Sequence, residues 1–266
     1  MKKSLALIAL FFALLVSASL ATQTWRTRHV PVRKVKSGDV PVAVELFTSE
    51  GCSSCPAADE MLRELAASQP LPGVEIIALG QHVDYWNRLG WKDPFSSPAF
   101  TQRQRLYAQS LGSGSYTPQA VVNGRYELVG SREQALHEAI RKAAKMPRAA
   151  VSIVQSVNDS LKVRVSSLPA GTAAAEVLLL LTESALATNV GRGENAGRLI
   201  QHAPVVRALR SLGPVTTDGD FAATVPQNLL PSWKKAQLRA VVLVQEQASH
   251  HIVGVAALPL ATASAN

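Results

Sequence analysis

One stretch constrains this chain more than any other: the apolar run Val42-Ala43-Val44-Glu45-Leu46-Phe47 leads into Gly51-Cys52-Ser53-Ser54-Cys55-Pro56, and that turn opens a helix. Cys52 and Cys55 are the only cysteines. A strand that ends in Cys-x-x-Cys at a helix start sets the first sulfur beside backbone N–H groups without helical partners, at the positive end of the helix dipole. That environment favours thiolate. An ordinary cysteine titrates near about 8.5, and Cys-x-x-Cys cysteines at helix N-termini are lowered to roughly 3.5–7.5. Cys52 is therefore expected to be exposed and ionised at neutral pH. Cys55, about a turn into the helix, is expected to be more covered and placed to attack a mixed disulfide at Cys52. Ala58, Met61, Leu62 and Leu65 recur with the spacing of one buried helical face, with Asp59, Arg63 and Glu64 on the other. Pro56 gives up an N–H that has no helical partner in a first turn.

The N-terminus bears on where such a pair would work. Lys2 and Lys3 precede an apolar run from Leu5 to Val16, and Ser19-Leu20-Ala21 supplies small residues at the two positions a signal peptidase reads. Residues 1–21 thus read as a signal peptide. The competing reading is a retained anchor, for which the run is short. No cysteine lies near the cleavage point, which excludes a lipid-anchored lipoprotein. The expected location is periplasmic or secreted, with no membrane attachment after cleavage. Residues 22–40 are polar and basic with little periodicity, a flexible leader. Cleavage removes two lysines from a chain of formal net charge +8. The remaining positive charge is scattered and lacks interleaved aromatics, so nucleic acid is not an expected partner.

Disulfides persist outside the cytoplasm, which leaves three readings of the cysteines. A structural bridge across two residues closes a very short loop and adds little stability by loop closure. A metal carrier would join Cys52 and Cys55 to His82 to hold Cu(I) or zinc. A thiol–disulfide oxidoreductase would use Cys52 to attack and Cys55 to resolve, with protein thiols or disulfides as partners and no cofactor.

Further along, Pro70-Leu71-Pro72-Gly73 is a turn, and Val74–Leu79 is a second apolar strand, parallel to the first through a right-handed crossover. A loop with two of the four tryptophans follows, Gln81-His82-Val83-Asp84-Tyr85-Trp86 and Leu89-Gly90-Trp91-Lys92-Asp93-Pro94-Phe95. Its aromatics either cover a site or line the core. Ser97-Pro98 starts a helix that runs to about Leu111. Tyr116–Val129 is a hairpin turning at Asn123-Gly124, and Ser131 with Gln134 makes a capping box for a last helix.

Residues 41–147 therefore read strand, helix, strand, helix, strand, strand, helix. With Cys-x-x-Cys at the first helix and Thr117-Pro118 opening the third strand, this order resembles the thioredoxin fold. The resemblance implies a cis-proline at Pro118 beside the sulfurs, where the adjacent backbone pairs with substrate, and a buried acid on the strand before the active turn. Glu45 is the candidate for that proton acceptor; an internal salt bridge is its other reading. The segments Val44–Pro56, His82–Trp86, Leu89–Pro94 and Gly193-Glu194-Asn195-Ala196-Gly197-Arg198 together are similar to one family, the secreted bacterial thioredoxin-like proteins called domain of unknown function 1223. The likeness spans roughly residues 41–258. Ala57 departs from it, where the family usually continues with a second proline.

After Met146-Pro147 the pattern changes to period two. Strands are expected at 150–154, 161–165, 176–182, 200–209, 221–225, 238–245 and 252–258. They imply a small all-β, sandwich-like domain over residues 148–260, with a tail at 261–266. Gly191–Gly197 lacks both the lysine of a P-loop and the spacing of a dinucleotide fingerprint, and reads as a structured loop. Asn158-Asp159-Ser160 matches a glycosylation triplet that arises often by chance. His250-His251 are expected at a hairpin tip, and adjacent histidines on a strand point apart, which speaks against a shared metal.

Overall fold

The computed structural model describes residues 33–260 apart from 157 and 217. The signal peptide expected at 1–21, most of the leader and the tail at 261–266 lie outside the described residues. Strand β1 (Val40–Thr48) is almost wholly buried. It pairs in parallel with β2 (Val74–His82) and antiparallel with β3 (Gln119–Val122), which pairs with β4 (Tyr126–Val129). Helices α1 (Cys55–Ser68), α2 (Pro98–Leu111) and α3 (Glu133–Ala144) fall between these strands or after them in the expected order.

The expected fold class, a thioredoxin-like domain followed by a separate all-β domain, is not what the chain forms. β2 is not an edge strand. Its Gly80 pairs with Val205 of β10 (Val205–Pro214), and the sheet continues through β7 (Ala175–Glu183), β12 (Leu238–Glu246) and β13 (Ile252–Pro259). The result is one mixed sheet of eight strands in the order β13-β12-β7-β10-β2-β1-β3-β4. The physical reason lies in β2. Val74-Glu75-Ile76-Ile77-Ala78-Leu79 is apolar on both faces, as in strands buried on both sides. Ile76 and Ala78 pack under α1 and α3. Ile77 and Leu79 pack with Leu178, Leu180, Val241 and Leu243 from the second half of the chain. Apolar periodicity marks a strand but not its neighbour, and here the neighbour comes from over a hundred residues later.

Nine strands follow residue 148 among the described residues, covering the seven expected places, but they are shared between sheets. β5 (Ala150–Gln155), β6 (Ser160–Ser166) and β11 (Phe221–Pro226) form a three-stranded sheet. Its Leu161, Val163 and Val165 cover Val177, Leu179, Val242 and Val244 of the large sheet. The stretch read as one strand from 200 to 209 is broken. β9 (Leu199–Gln201) pairs only with β8 (Ala187–Asn189), and β10 starts after His202-Ala203-Pro204. Pro204 has no N–H to give a ladder. The capping box at Ser131 does not form either, because α3 begins at Glu133 with Arg132 as its uncapped N-cap. Among the described residues no helix is long and apolar enough to cross a membrane.

The hairpin turn forms as expected, with Asn123 and Gly124 both at positive φ. Gly124 is also required by space: a Cβ there would lie 2.1 Å from the carbonyl oxygen of His250 in the β12–β13 turn.

The buried acid of β1 belongs to this framework. Glu45 accepts from Arg103 Nε at 2.6 Å, from Arg103 Nη2 at 3.1 Å and from Gln81 Nε2 at 2.6 Å, and also from the Tyr107 hydroxyl. Arg103 continues to Gln245 Oε1 of β12 at 2.9 Å, so the pair ties β1 and α2 to the second half of the chain. Burial, set against the Arg103 charge, pushes the Tyr107 phenol well above its ordinary range and keeps it a donor. Removing one partner of a buried ion pair leaves the other charge uncompensated. Arg103→Ala should therefore cost about 3–5 kcal/mol in guanidinium unfolding. A loss below about 1 kcal/mol, the range of exposed pairs, would contradict this role.

Candidate functional site

The two cysteines are joined as a disulfide, with Cα atoms 5.4 Å apart. Cys55 is the first residue of α1, Pro56 follows it, and Ser54 is an N-cap without a side-chain bond. Cys52 Sγ lies 3.4 Å from Ser54 Oγ and 3.9 Å from the Thr117 carbonyl oxygen. The Thr117–Pro118 peptide is cis. Thus Cys52, Cys55 and Thr117-Pro118 do come together. Cys52 differs from expectation in exposure: like Cys55 it is only 1% exposed, and Ser53 and Ser54 form the outer surface of the turn. Glu45 makes the contacts described above, with Arg103, Gln81 and Tyr107.

What covers the turn comes from far along the chain. The segment Gly193–Arg198, carried on the β8–β9 ribbon, lies over it. Asn195, fully buried, donates through Nδ2 to the Glu50 carbonyl at 2.8 Å and to the Cys52 carbonyl at 2.9 Å. Its Oδ1 accepts from Arg198 at 2.7 Å, which fixes the orientation of the amide. Exposed Glu194 accepts from the Ser53 N–H at 3.0 Å, and bonds to Ser53 hold its carboxyl below the usual range. Gly191 and Gly193 pack against Trp91, where added Cβ atoms would come within 3.2 and 3.3 Å of the indole side chain. The aromatic loop completes the surround. Trp91 Nε1 donates to Glu50 Oε2 at 2.6 Å, and Trp86 Nε1 donates to Thr117 Oγ1 at 2.9 Å. Both tryptophans therefore flank the disulfide turn.

Beneath the turn lies a buried charged cluster that sequence reading did not assemble. Asp59 was placed on the open face of its helix, but it is 3% exposed. It follows Cys55 by four residues, the spacing that stacks two side chains on one helical face. Thr48 donates to its Oδ2 at 2.5 Å. Loss of water pushes the Asp59 carboxyl up, against the pull of His82 and His202. His82, at the end of β2, meets Asp93 Oδ2 through Nδ1 at 2.7 Å. Burial alone would lower the His82 pKa, yet Asp93, then Asp59 and Glu50, raise it. Asp93 is likewise disfavoured by burial, but the His82 charge and hydrogen bond, with the N–H groups of Glu50 and Phe95, bring it below the usual range. His202, in the break between β9 and β10, has Nε2 3.1 Å from Glu50 Oε1. The two imidazoles stand edge to face, centroids 5.1 Å apart.

The metal alternative of Cys52, Cys55 and His82 is not assembled. Asp59, His82 and His202 form the one group of three or more potential ligands among the described residues. His202 was hidden inside a stretch that alternated like a strand, and Pro204 was the signal of the break. Asp59 could have been found from its four-residue spacing to Cys55.

With this geometry in hand, likeness to known proteins settles one question. The model for the family described as protein of unknown function (DUF1223) matches residues 43–245. The chain belongs to the DUF1223 family. No curated protein matches. Among solved structures, an Agrobacterium tumefaciens protein solved by X-ray crystallography is 25% identical with a TM-score of 0.66, over 87% of this chain and 99% of that one. A domain of the outer membrane lipoprotein Omp28 from Porphyromonas gingivalis is 12% identical over 43% of this chain and 89% of its own, and its TM-score of 0.29 gives it no weight. The family match includes the cysteine turn, Asp59, His82, Asp93, Asn195 and His202, so the clamp and the buried cluster both lie within the family region.

Because Asn195 supplies two donors to buried carbonyls, Asn195→Asp faces both with a carboxylate. Each unsatisfied buried group costs about 1–3 kcal/mol, and the DUF1223 variant should lose about 2–4 kcal/mol of unfolding free energy. Glu194→Gln, whose bond is at the surface, should leave the unfolding midpoint in place. Equal effects of the two substitutions would show that Asn195 is not the clamp.

Proposed function

We propose that this DUF1223 protein is an exported thiol–disulfide oxidoreductase, with Cys52 as attacking thiolate and Cys55 as resolving thiol. The observation that carries the reading is a two-residue disulfide at the start of α1, with Cys52 Sγ 3.9 Å from the carbonyl of the residue before Pro118. The helix start favours a thiolate in the reduced form. The Thr117-Pro118 backbone offers an edge for an extended substrate segment. In the reducing direction, the Cys52 thiolate attacks one sulfur of a substrate disulfide, forming a mixed disulfide and releasing a substrate thiolate. The Cys55 thiolate then attacks Cys52, reforming the internal bond and releasing the second substrate thiolate. Two electrons pass from the protein dithiol to the substrate disulfide, and the reverse sequence oxidises a substrate dithiol. Protein thiols or disulfides in the periplasm or outside the cell are the proposed partners.

The burial of both sulfurs and the Asn195 clamp favour a second reading, in which the disulfide is a structural element of a binding protein. Equilibration with glutathione buffers separates the two. The redox reading expects a reversible couple between about −120 and −270 mV, and a bridge below about −300 mV would establish the structural one. In the reduced protein, iodoacetamide should modify Cys52 before Cys55. Cys55→Ser, expressed with its N-terminal segment, should accumulate thiol-reducible adducts in the exported fraction. Adducts no more abundant than those of the Cys52→Ser/Cys55→Ser double variant would end the proposal.

A further inference from the structure

Three buried side chains from distant parts of the chain bring potential ligand atoms together. Asp59 from α1, His82 from the end of β2 and His202 from the β9–β10 break are 3%, 1% and 2% exposed. One ligand atom from each lies within 4.8 Å of the others. Asp59 Oδ1, His82 Nε2 and His202 Nδ1 have no hydrogen-bond partner. Buried polar atoms are rarely left this way, and each instance calls for a reason.

The other atom of each side chain is held. Thr48 binds Asp59 Oδ2, Asp93 binds His82 Nδ1, and Glu50 faces His202 Nε2 at 3.1 Å. A carboxylate on the far nitrogen of an imidazole fixes the ring and its tautomer and leaves the near nitrogen free to bind a metal, the support that metal-binding histidines usually have. His82 has it in Asp93, while His202 Nε2 meets Thr188 Oγ1 at 3.4 Å, with the otherwise unpartnered Glu50 Oε1 3.1 Å away. Asp93 is itself anchored by the N–H groups of Glu50 and Phe95 at 2.8 and 2.9 Å, and Glu50 by the Trp91 indole. Charge argues the same way. Three carboxylates, Glu50, Asp59 and Asp93, are buried around two imidazoles, so the cluster has more potential negative charge than the histidines can match. Burying unmatched charge is costly, and a cation would offset it.

The geometry points to Asp59, His82 and His202 as a binding site for one divalent cation of the zinc class, with a fourth position left for water or a substrate atom. Two imidazoles and one carboxylate with an open position form a known zinc ligand set. Bonds of about 2.0–2.2 Å in a tetrahedron place ligand atoms roughly 3.4 Å apart, so atoms within 4.8 Å of one another would close on the ion by up to about 1.4 Å. His202 also lines a cleft of about 300 Å³, which we take as the entry route. The site differs from one built on the cysteines, and it holds whether or not the disulfide turns over. A bound ion would fasten α1, β2 and the β9–β10 break together directly behind the disulfide.

The test uses full-length DUF1223 protein with its disulfide intact, stripped with a chelator and checked for native circular dichroism. Titration with ZnCl2 should show one equivalent bound and a raised thermal midpoint. The Cys52→Ser/Cys55→Ser variant should bind equally well. His82→Gln and His202→Gln should weaken binding at least tenfold, and Asp93→Asn, which weakens the support of His82 along with one backbone contact of Asp93, by about 10–100-fold. Co2+ in the wild-type protein should give the visible bands of a nitrogen and oxygen site without a thiolate charge-transfer band, a readout that needs no variant to fold. Failure of the folded wild-type protein to bind both Zn2+ and Co2+ would overturn the inference. So would binding left unchanged by both histidine substitutions, or binding lost in the double serine variant while its fold is kept.

Discussion

Burying charge beneath the cysteine turn is the constraint on which the rest of this structure depends. Glu50, Asp59, Asp93, His82 and His202 are buried, and charged groups are retained in such a place only with well-aimed partners. Supplying those partners takes four separate parts of the chain: the turn after β1, the face of α1, the loop after β2 and the break before β10. The tryptophan loop encloses them, and Trp91 donates directly to Glu50. The cysteine turn is built on this network, because Glu50 carries both its buried carboxylate and the carbonyl that Asn195 grips.

The eight-stranded sheet delivers these parts to one place. Parallel pairing of β1 and β2 aligns Thr48 with His82, so the hydroxyl that holds Asp59 and an imidazole of the cluster stand on adjacent strands. Pairing of β2 with β10 through Gly80 and Val205 brings in the chain just before β10, where His202 stands. The close approach needs a glycine: a Cβ at position 80 would lie 3.2 Å from the Pro204 carbonyl oxygen, which the Gly80 N–H binds at 2.7 Å. The second half of the chain therefore serves as scaffold and cover for the turn in the first half. Its three-stranded sheet closes the opposite apolar face of β7 and β12.

Much of this was legible residue by residue. The helix start at Cys55, the Asn123-Gly124 turn, the Ser97-Pro98 cap and nearly all later strands follow from local rules, because turn chemistry and apolar period act over a few residues. Asp59 shows where such rules stop. A charged residue on the helical face of Arg63 and Glu64 reads as solvent-facing, yet Asp59 is buried against Thr48, His82 and His202, each placed by another element. The segment Gly193–Arg198 was recognisable as a structured loop from its glycines, but its role as a clamp depends on what it packs against, and nothing local to residues 193–198 names Cys52.

The sequence by itself determined the strand–disulfide turn–helix unit, the order of elements through residue 146, the membership of its motifs in one family and the change to strands after 148. Those features depend on backbone preferences and hydrophobic period along the chain. The tertiary structure alone decided that the strands of both halves form a single sheet, that Glu45 is bound to Arg103, and that Asp59, His82 and His202 meet behind the disulfide. Strand pairing across a hundred residues is set by which apolar faces must be covered together, and the partners of a buried charge by which side chains that covering brings within reach. Neither is a property of any one stretch of sequence.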